Sequence, residues 1–306
     1  MKFSSYRGAR VLVTGGAGFI GARLCAALRE KGAKVFCLDA RAGGAGALKC
    51  DLSDERAVKA AVAKTKPEII FHLAALTDRD PSPALLGRML ETNLQGARNL
   101  LEALKERGCR AVVFSGTAEE YGRGPAPYRE AQTEDPVSPY SFSKACATQL
   151  ALFYHRAHGV PVTVLRPTLA YGPGQPPTMF LPELLRSLLE GRQFRMTPGG
   201  QTRDFVFVDD LVEAYLRAGL AKAAAGQVVN IGSGRPVKIK DMARLAARLL
   251  GGAPLLEIGA KPYRPAEIMK YYASTARAKK LLGWRPRTGL AEGLKLTAAS
   301  YKNAGN

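Results

Sequence analysis

The chain contains no apolar run approaching the ~18 residues that cross a bilayer, and its first residues (Met1-Lys-Phe-Ser-Ser) carry no apolar segment of a secretion signal. Neither a membrane partner nor export is expected. Five cysteines (Cys25, Cys37, Cys50, Cys109 and Cys146) include no C-x-x-C pair. Several stand in apolar stretches and read as small buried hydrophobes of a reducing compartment, so the cytoplasm is the expected location and no metal site is expected. Internal repeats, low-complexity tracts and long linkers are also absent. Acidic residues are scarce: 26 Asp and Glu against 45 Lys and Arg leave a net charge of +19. That excess fits a merely basic surface, the attraction of an anionic ligand, or nucleic-acid binding. The basic residues are spread out and form no nucleic-acid motif, so no nucleic-acid partner is expected.

What is present is an ordinary globular composition, with 306 residues, 46% hydrophobic and 23% charged, enough for one large domain or two small ones. The organising stretch is V-L-V-T-G-G-A-G-F-I-G at 11–21. Residues 10–13 read as a strand, Gly15, Gly16 and Gly18 as a turn, and 19–29 as an amphipathic helix, the opening of a βαβ unit. Glycines let backbone N–H groups approach a ligand closely, and the helix N-terminus carries partial positive charge. A pyrophosphate fits there, with Gly15, Gly18, Phe19 and Ile20 against it and Gly21 packing helix on strand.

A second strand at 33–38 ends at Asp39, about 20 residues beyond the turn, where an acid accepts ribose hydroxyls and repels a 2′-phosphate. NAD is favoured over NADP, although Arg41, two residues on, could offset the repulsion. A third strand at 48–52 brings Asp51 and Leu52 near the adenine, or leaves Asp51 as the cap of a helix starting near Ser53. Residues 67–73 form a fourth strand, and Leu73, Ala74 and Ala75 after it let the cofactor lie close. His72 reads as a structural hydrogen-bonding residue. A long helix spans 89–107, and Asn93 within it is expected to bond neighbouring backbone. Further strands are expected at 110–114, 162–166 and 228–231, and helices at 140–158, 181–190, 239–250 and 275–282. The alternation gives an α/β fold, a doubly wound parallel Rossmann sheet of about seven strands. Residues 1–171 with 202–233 form the cofactor domain. Residues 172–201 with 234–306 form a smaller, mostly helical substrate lobe.

The chemistry concentrates at S-G-T-A-E-E-Y-G (115–122) and Y-S-F-S-K (140–144). Tyr140 and Lys144 are spaced i, i+4 and share a helix face. A free tyrosine titrates near 10, and a nearby ammonium favours the phenolate. Such a phenolate can take a hydroxyl proton while hydride leaves the same carbon. Thr117, beyond the fifth strand, can hydrogen-bond the same hydroxyl.

These motifs resemble the extended short-chain dehydrogenases/reductases that act on nucleotide sugars, the NAD-dependent epimerase/dehydratase group. The resemblance runs over about 9–286. It rests on T-G-G-A-G-F-I-G (14–21), H-L-A-A (72–75), S-P-Y-S-F-S-K (138–144), L-R-P-T-L-A-Y-G-P-G (165–174), R-D-F-V-F-V-D-D (203–210) and the late L-L-G-W-R-P. By resemblance, Thr117, Tyr140 and Lys144 are catalytic, and Arg203 and Arg264 hold the diphosphate of a nucleotide-diphosphate sugar. Glu267 lies near the nucleoside ribose, and the chain pairs as a homodimer through 89–107 and 140–158. The alternative for Arg203 is a pair with Asp204 or Asp209.

Two positions depart from the family pattern. Leu169 stands where an asparagine often contacts the diphosphate. Thr117-Ala118-Glu119 stands where 4,6-dehydratases carry Thr-Asp-Glu or Thr-Ser-Glu; Glu119 could supply one substrate-facing group there, but Ala118 supplies none. Glu119 and Glu120 could instead simply flank the cleft. The leading expectation is a nucleotide-sugar 4-epimerase with bound NAD, working through a transient 4-keto sugar. The alternatives are an NAD(P)H-dependent 4-keto-6-deoxysugar reductase, a 4,6-dehydratase, and a non-catalytic sensor on the same fold.

Overall fold

The computed structural model describes residues 5–40, 47–78, 83–264 and 267–303. The first half alternates strand and helix: β1 (Arg10–Thr14), α1 (Phe19–Glu30), β2 (Lys34–Asp39), β3 (Ala47–Lys49), α2 (Glu55–Thr65) and β4 (Ile69–His72). Then come α3 (Pro83–Met89), a π-helical turn (Leu90–Gln95), α4 (Gly96–Arg107), β5 (Ala111–Ser115), α5 (Pro139–His158) and β6 (Val162–Pro167). The remainder holds β7 (Leu169–Tyr171), α6 (Phe180–Leu189), β8 (Phe194–Met196), β9 (Thr202–Phe207), α7 (Val208–Leu220), β10 (Val228–Ile231) and β11 (Pro236–Lys238). It ends with α8 (Ile239–Leu250), β12 (Leu256–Ile258), β13 (Lys270–Tyr271), α9 (Ala276–Leu282) and α10 (Leu290–Asn303).

The strands β1, β4, β5 and β6 are near-continuous apolar runs because helices cover both faces of their sheet. That sheet has seven strands in the order β10-β6-β5-β4-β1-β2-β3, all pairs parallel, as expected. On one face Leu24 and Leu28 of α1 pack with Leu211 and Tyr215 of α7 and with Trp284. On the other Val58 and Val62 of α2 pack with Leu100 and Leu104 of α4 and Ala147 and Ala151 of α5. The chain leaves β1 toward β2 and later resumes on its other side with β4, so the order reverses between them. Thr14 stands opposite His72 at that switch point, where open α/β sheets bind ligands.

The C-terminal lobe packs α6, α8 and α10 around Phe194 and Met196. It is helical but also contains the parallel pair β8–β12 and a second small sheet. In that sheet β9 pairs with β7, β11 and β13.

Several boundaries differ from expectation. The long helix begins at Pro83 and is interrupted by the π turn. The third strand spans Ala47–Lys49, and α2 starts at Glu55. Two helices were not anticipated. α7 follows β9 with no glycine or proline between them, and α10 lies close to the chain's end. Among the described residues, no helix is long and apolar enough to cross a membrane.

Candidate active site

The glycine turn packs tightly against the residues that follow β4 and against the start of α1. Gly15 has φ +72°, and a β-carbon there would lie 2.7 Å from the Ala74 nitrogen. At Gly21 it would lie 2.1 Å from the Gly15 carbonyl oxygen, so α1 rests directly on the turn. No side chain caps α1, whose N-cap is Gly18, so its N-terminal turn keeps the kind of amide donors that favour an anion. Asp39, 9% exposed at the end of β2, accepts the Ala17 N–H at 3.1 Å, which sets its carboxylate beside the same turn. Leu73 donates to the Thr14 carbonyl at 3.1 Å, placing Leu73, Ala74 and Ala75 along the opposite wall. This cradle, too tight for side chains at 15 and 21 and lined with amides and one acid, fits a dinucleotide.

Asp51 is exposed and accepts the Ser53 N–H at 2.9 Å and its hydroxyl at 2.8 Å. The cap of α2 is Asp54 instead, which accepts the Ala57 N–H at 3.0 Å. Asp51 lies four residues before the helix start at Glu55, too far back to reach its first free amides. Leu52 is buried, and its carbonyl accepts from Asn99 at 2.8 Å. Arg41 lies outside the described residues.

His72 is buried and structural. Thr14 Oγ1 accepts the Ala74 N–H at 3.2 Å and shares a hydrogen bond with His72 Nδ1 at 2.8 Å. Burial, aided by the Lys144 charge, pushes the His72 pKa down to about 3, so the ring is neutral. Asn93 bonds backbone as expected, though not of its own helix. It accepts the Leu76 N–H at 2.7 Å and donates to the Leu76 carbonyl at 3.1 Å and to Ser143 at 2.9 Å.

The reacting groups come from β5 and α5. Ser138 caps α5 by accepting the Ser141 N–H at 3.1 Å, and Pro139 begins it, so Tyr140 and Lys144 fall in its first two turns. Ser143 donates to the Tyr140 carbonyl at 2.9 Å, which pins the helix start to Asn93. The Lys144 ammonium is buried and lies 5.4 Å from the centre of the Phe114 ring on β5. Burial lowers its pKa to about 8, and the Glu120 carboxylate opposes that fall. Thr117 begins a short 3-10 turn (Ala118–Tyr121) with a capping box. Its hydroxyl oxygen accepts the Glu119 N–H at 3.2 Å, which leaves the hydroxyl hydrogen available to a ligand oxygen.

Sequence reasoning missed the scaffold beneath these groups. Glu120 does not flank the cleft; it is fully buried and bonded to Arg166, Thr148 and the Thr117 N–H. Arg166 also binds Glu134 and lies over the Tyr121 ring, 4.6 Å from its centre. The signal was legible: an arginine inside the apolar run of β6 needs a buried acid partner.

On the lobe side, Arg203 of β9 pairs with Glu267 and donates to the carbonyls of Thr202 at 2.8 Å and Ile268 at 2.7 Å. Neither neighbouring aspartate is its partner. Asp204 accepts from Ser233, Gly234 and Ala273, and Asp209 pairs with Arg23 at 2.6 Å. Alternation along a strand turns Asp204 to the opposite face from Arg203. Glu267, expected near a ribose, is thus bound to Arg203. Arg264 is exposed. Leu169 is half-buried against the cluster of Tyr121, Tyr128 and Tyr271, so no polar group replaces the asparagine expected there. The buried Tyr271 hydroxyl is held far above the usual tyrosine range, first by burial and then by Glu119, Tyr128 and Tyr140, with Arg203 opposing. Groups from the segment after β5, from α5 and from β9 therefore act on this one ring.

Residues 11–232 match the NAD dependent epimerase/dehydratase family. The chain belongs to that family. It is similar to the UDP-glucose 4-epimerase of Mycolicibacterium smegmatis, with 32% identity over 96% of this chain and 99% of the relative. It is also 31% identical to the dTDP-glucose 4,6-dehydratase of Streptomyces niveus, over 96% of this chain and 93% of the relative. Among solved structures, the UDP-glucose 4-epimerase of Thermotoga maritima with UDP-glucose superposes with a TM-score of 0.91 at 31% identity, covering 97% of this chain and 99% of that one. The protein is an enzyme of this family and its cofactor is NAD, which the cradle around Gly15, Gly21 and Asp39 fits.

Proposed function

We propose that this enzyme inverts the hydroxyl configuration at C4 of a UDP-hexose, with UDP-glucose as the substrate to test first. What supports this reading is that Lys144 is buried against the Phe114 ring of β5, that Tyr140 lies one turn before it on α5, and that Thr117 follows the end of β5. Identity alone is similar toward an epimerase and a dehydratase. The residues separate them: removal of water from C5 and C6 needs both an acid and a base, and the buried Ala118 can be neither.

NAD, when bound, supplies reversible hydride acceptance at the sugar C4. The chain's own residues handle the proton. Tyr140, its phenolate favoured by the Lys144 ammonium, takes the proton of the C4 hydroxyl. Thr117 donates a hydrogen bond to the same oxygen. The 4-keto sugar is then reduced from its other face as Tyr140 returns the proton, so no reductant is consumed overall. Arg203, steadied by Glu267, faces the diphosphate, and Arg264 joins it from the exposed edge. Asp39 holds the adenosine ribose, with Asp51 and Leu52 beyond it. The exposed Phe142 and Phe153 on α5 fit a homodimer through α4 and α5, and the free cysteines fit a cytoplasmic enzyme.

The test is to incubate purified protein with UDP-glucose, and separately UDP-glucuronate, without added cofactor. Formation of the C4 epimer, lost about a hundredfold or more in Tyr140→Phe, supports the reading. Absence of any C4 epimer, or undiminished turnover in Tyr140→Phe, overturns it.

A further inference from the structure

Glu120 joins three parts of the site through one carboxylate. Oε1 accepts the Thr117 N–H at 2.8 Å and the Thr148 hydroxyl at 3.2 Å. Oε2 accepts Arg166 Nε at 2.7 Å and Nη2 at 2.6 Å. Tyr140, Lys144 and Thr148 are spaced i, i+4, i+8 and form one stripe of α5. Glu120 therefore bonds the end of that stripe and the backbone of Thr117 at the same time. Arg166 extends the scaffold to Glu134, which also accepts from Gln149 of α5 at 3.2 Å.

Glu120 is the carboxylate whose charge acts on the buried Lys144. His72 on β4 is neutral, β5 presents the Phe114 ring, and Tyr140 lies on the same helix. Arg166 on β6 is committed to Glu120 and Glu134.

We propose that Glu120 is a positioning residue for the reaction: it fixes Thr117 against the Tyr140–Lys144 stripe and keeps Lys144 in its ammonium form. This rests on the reading of Thr117, Tyr140 and Lys144 as the reacting groups. A carboxylate lost here leaves a buried ammonium without its counter-charge, so Lys144 gives up its proton at lower pH and Tyr140 at higher pH. In the wild type Glu120 opposes the burial effect on Lys144; burial also raises the pKa of Glu120 itself, and Arg166, the Thr117 N–H, Lys144 and Thr148 oppose that rise and favour its carboxylate.

The experiment uses the NAD-loaded enzyme as purified and the variants Glu120→Gln, Glu120→Asp and Thr148→Val. Two quantities are read against pH: kcat for C4 epimerisation of UDP-glucose, and the tyrosinate absorbance of Tyr140, taken as the difference from the matching Tyr140→Phe protein. Glu120→Gln is expected to lower kcat about tenfold, to move the alkaline limb of kcat down by about one pH unit, and to raise the tyrosinate midpoint. Glu120→Asp keeps the charge and is expected to keep both midpoints while losing kcat. Thr148→Val keeps the volume and the charge but cuts the tie to α5, so kcat falls severalfold with midpoints unmoved.

Unmoved midpoints in Glu120→Gln, or a kcat within twofold of wild type, overturn the proposal. If Glu120→Gln does not fold, a wild-type kcat in Thr148→Val overturns it, and a reduced kcat there with unmoved midpoints supports it. If the wild type forms no C4 epimer while the tyrosinate midpoint still rises in Glu120→Gln, the epimerase reading fails and the role of Glu120 stands.

Discussion

Arg203 and Glu267 form an ion pair whose side chains are only 16% and 14% exposed. The pair crosses from β9 to the segment before β13 and holds the guanidinium beside the Tyr271 ring, 5.8 Å from its centre. An arginine already oriented by an acid loses little freedom when an anion arrives. Replacing Arg203 with Met is expected to raise KM for UDP-glucose about tenfold or more and to change kcat much less, because a diphosphate contact acts equally in ground and transition states. Steady-state kinetics check this. Glu267→Gln is expected to give a smaller rise in KM, since the guanidinium stays but loses its brace.

Asp39 is set by the Ala17 N–H beside the glycine turn. Asp39→Ala is expected to weaken NAD retention about tenfold or more, the cost of a charge-assisted hydrogen bond to a ribose. The nicotinamide released on denaturing freshly purified protein measures it. Wild-type protein is expected to release close to one equivalent, and the variant much less.

His72 makes the fold acid-sensitive. Its folded pKa of about 3 lies below the ordinary value of 6.5, so the unfolded chain binds a proton that the folded chain refuses. The stability it contributes is complete above 6.5 and is lost as pH falls toward 3. Between pH 7 and 4.5 the wild type should lose about 3 kcal/mol more than His72→Gln. Urea unfolding at the two pH values checks the difference.

The parts of the fold that repeat a local rule were legible in the sequence. Apolar strand runs, the glycine turn and the helix expected at 140–158 marked the seven-stranded sheet and assigned Gly15, Asp39, Thr117, Tyr140 and Lys144 to one end of it. What was not legible depends on pairing between distant segments. Glu120 looks like a surface acid until β6 brings Arg166 against it, 46 residues on. Arg203 had two aspartates near in sequence, yet strand alternation turned Asp204 away and its partner came from residue 267. The helix at 208–220 escaped notice because no glycine or proline separates it from β9. The cap of α2 is Asp54 and not Asp51 because five residues, 50–54, lie between the strand and the helix.

The most direct test of the account follows the hydrogen at the reacting carbon. UDP-glucose deuterated at C4 is incubated in ordinary water with the enzyme as purified and no added cofactor. If hydride leaves C4 and returns to the same carbon within the closed site, the UDP-galactose formed keeps its deuterium at C4. Product that has lost deuterium to solvent, or no UDP-galactose at all, would contradict it.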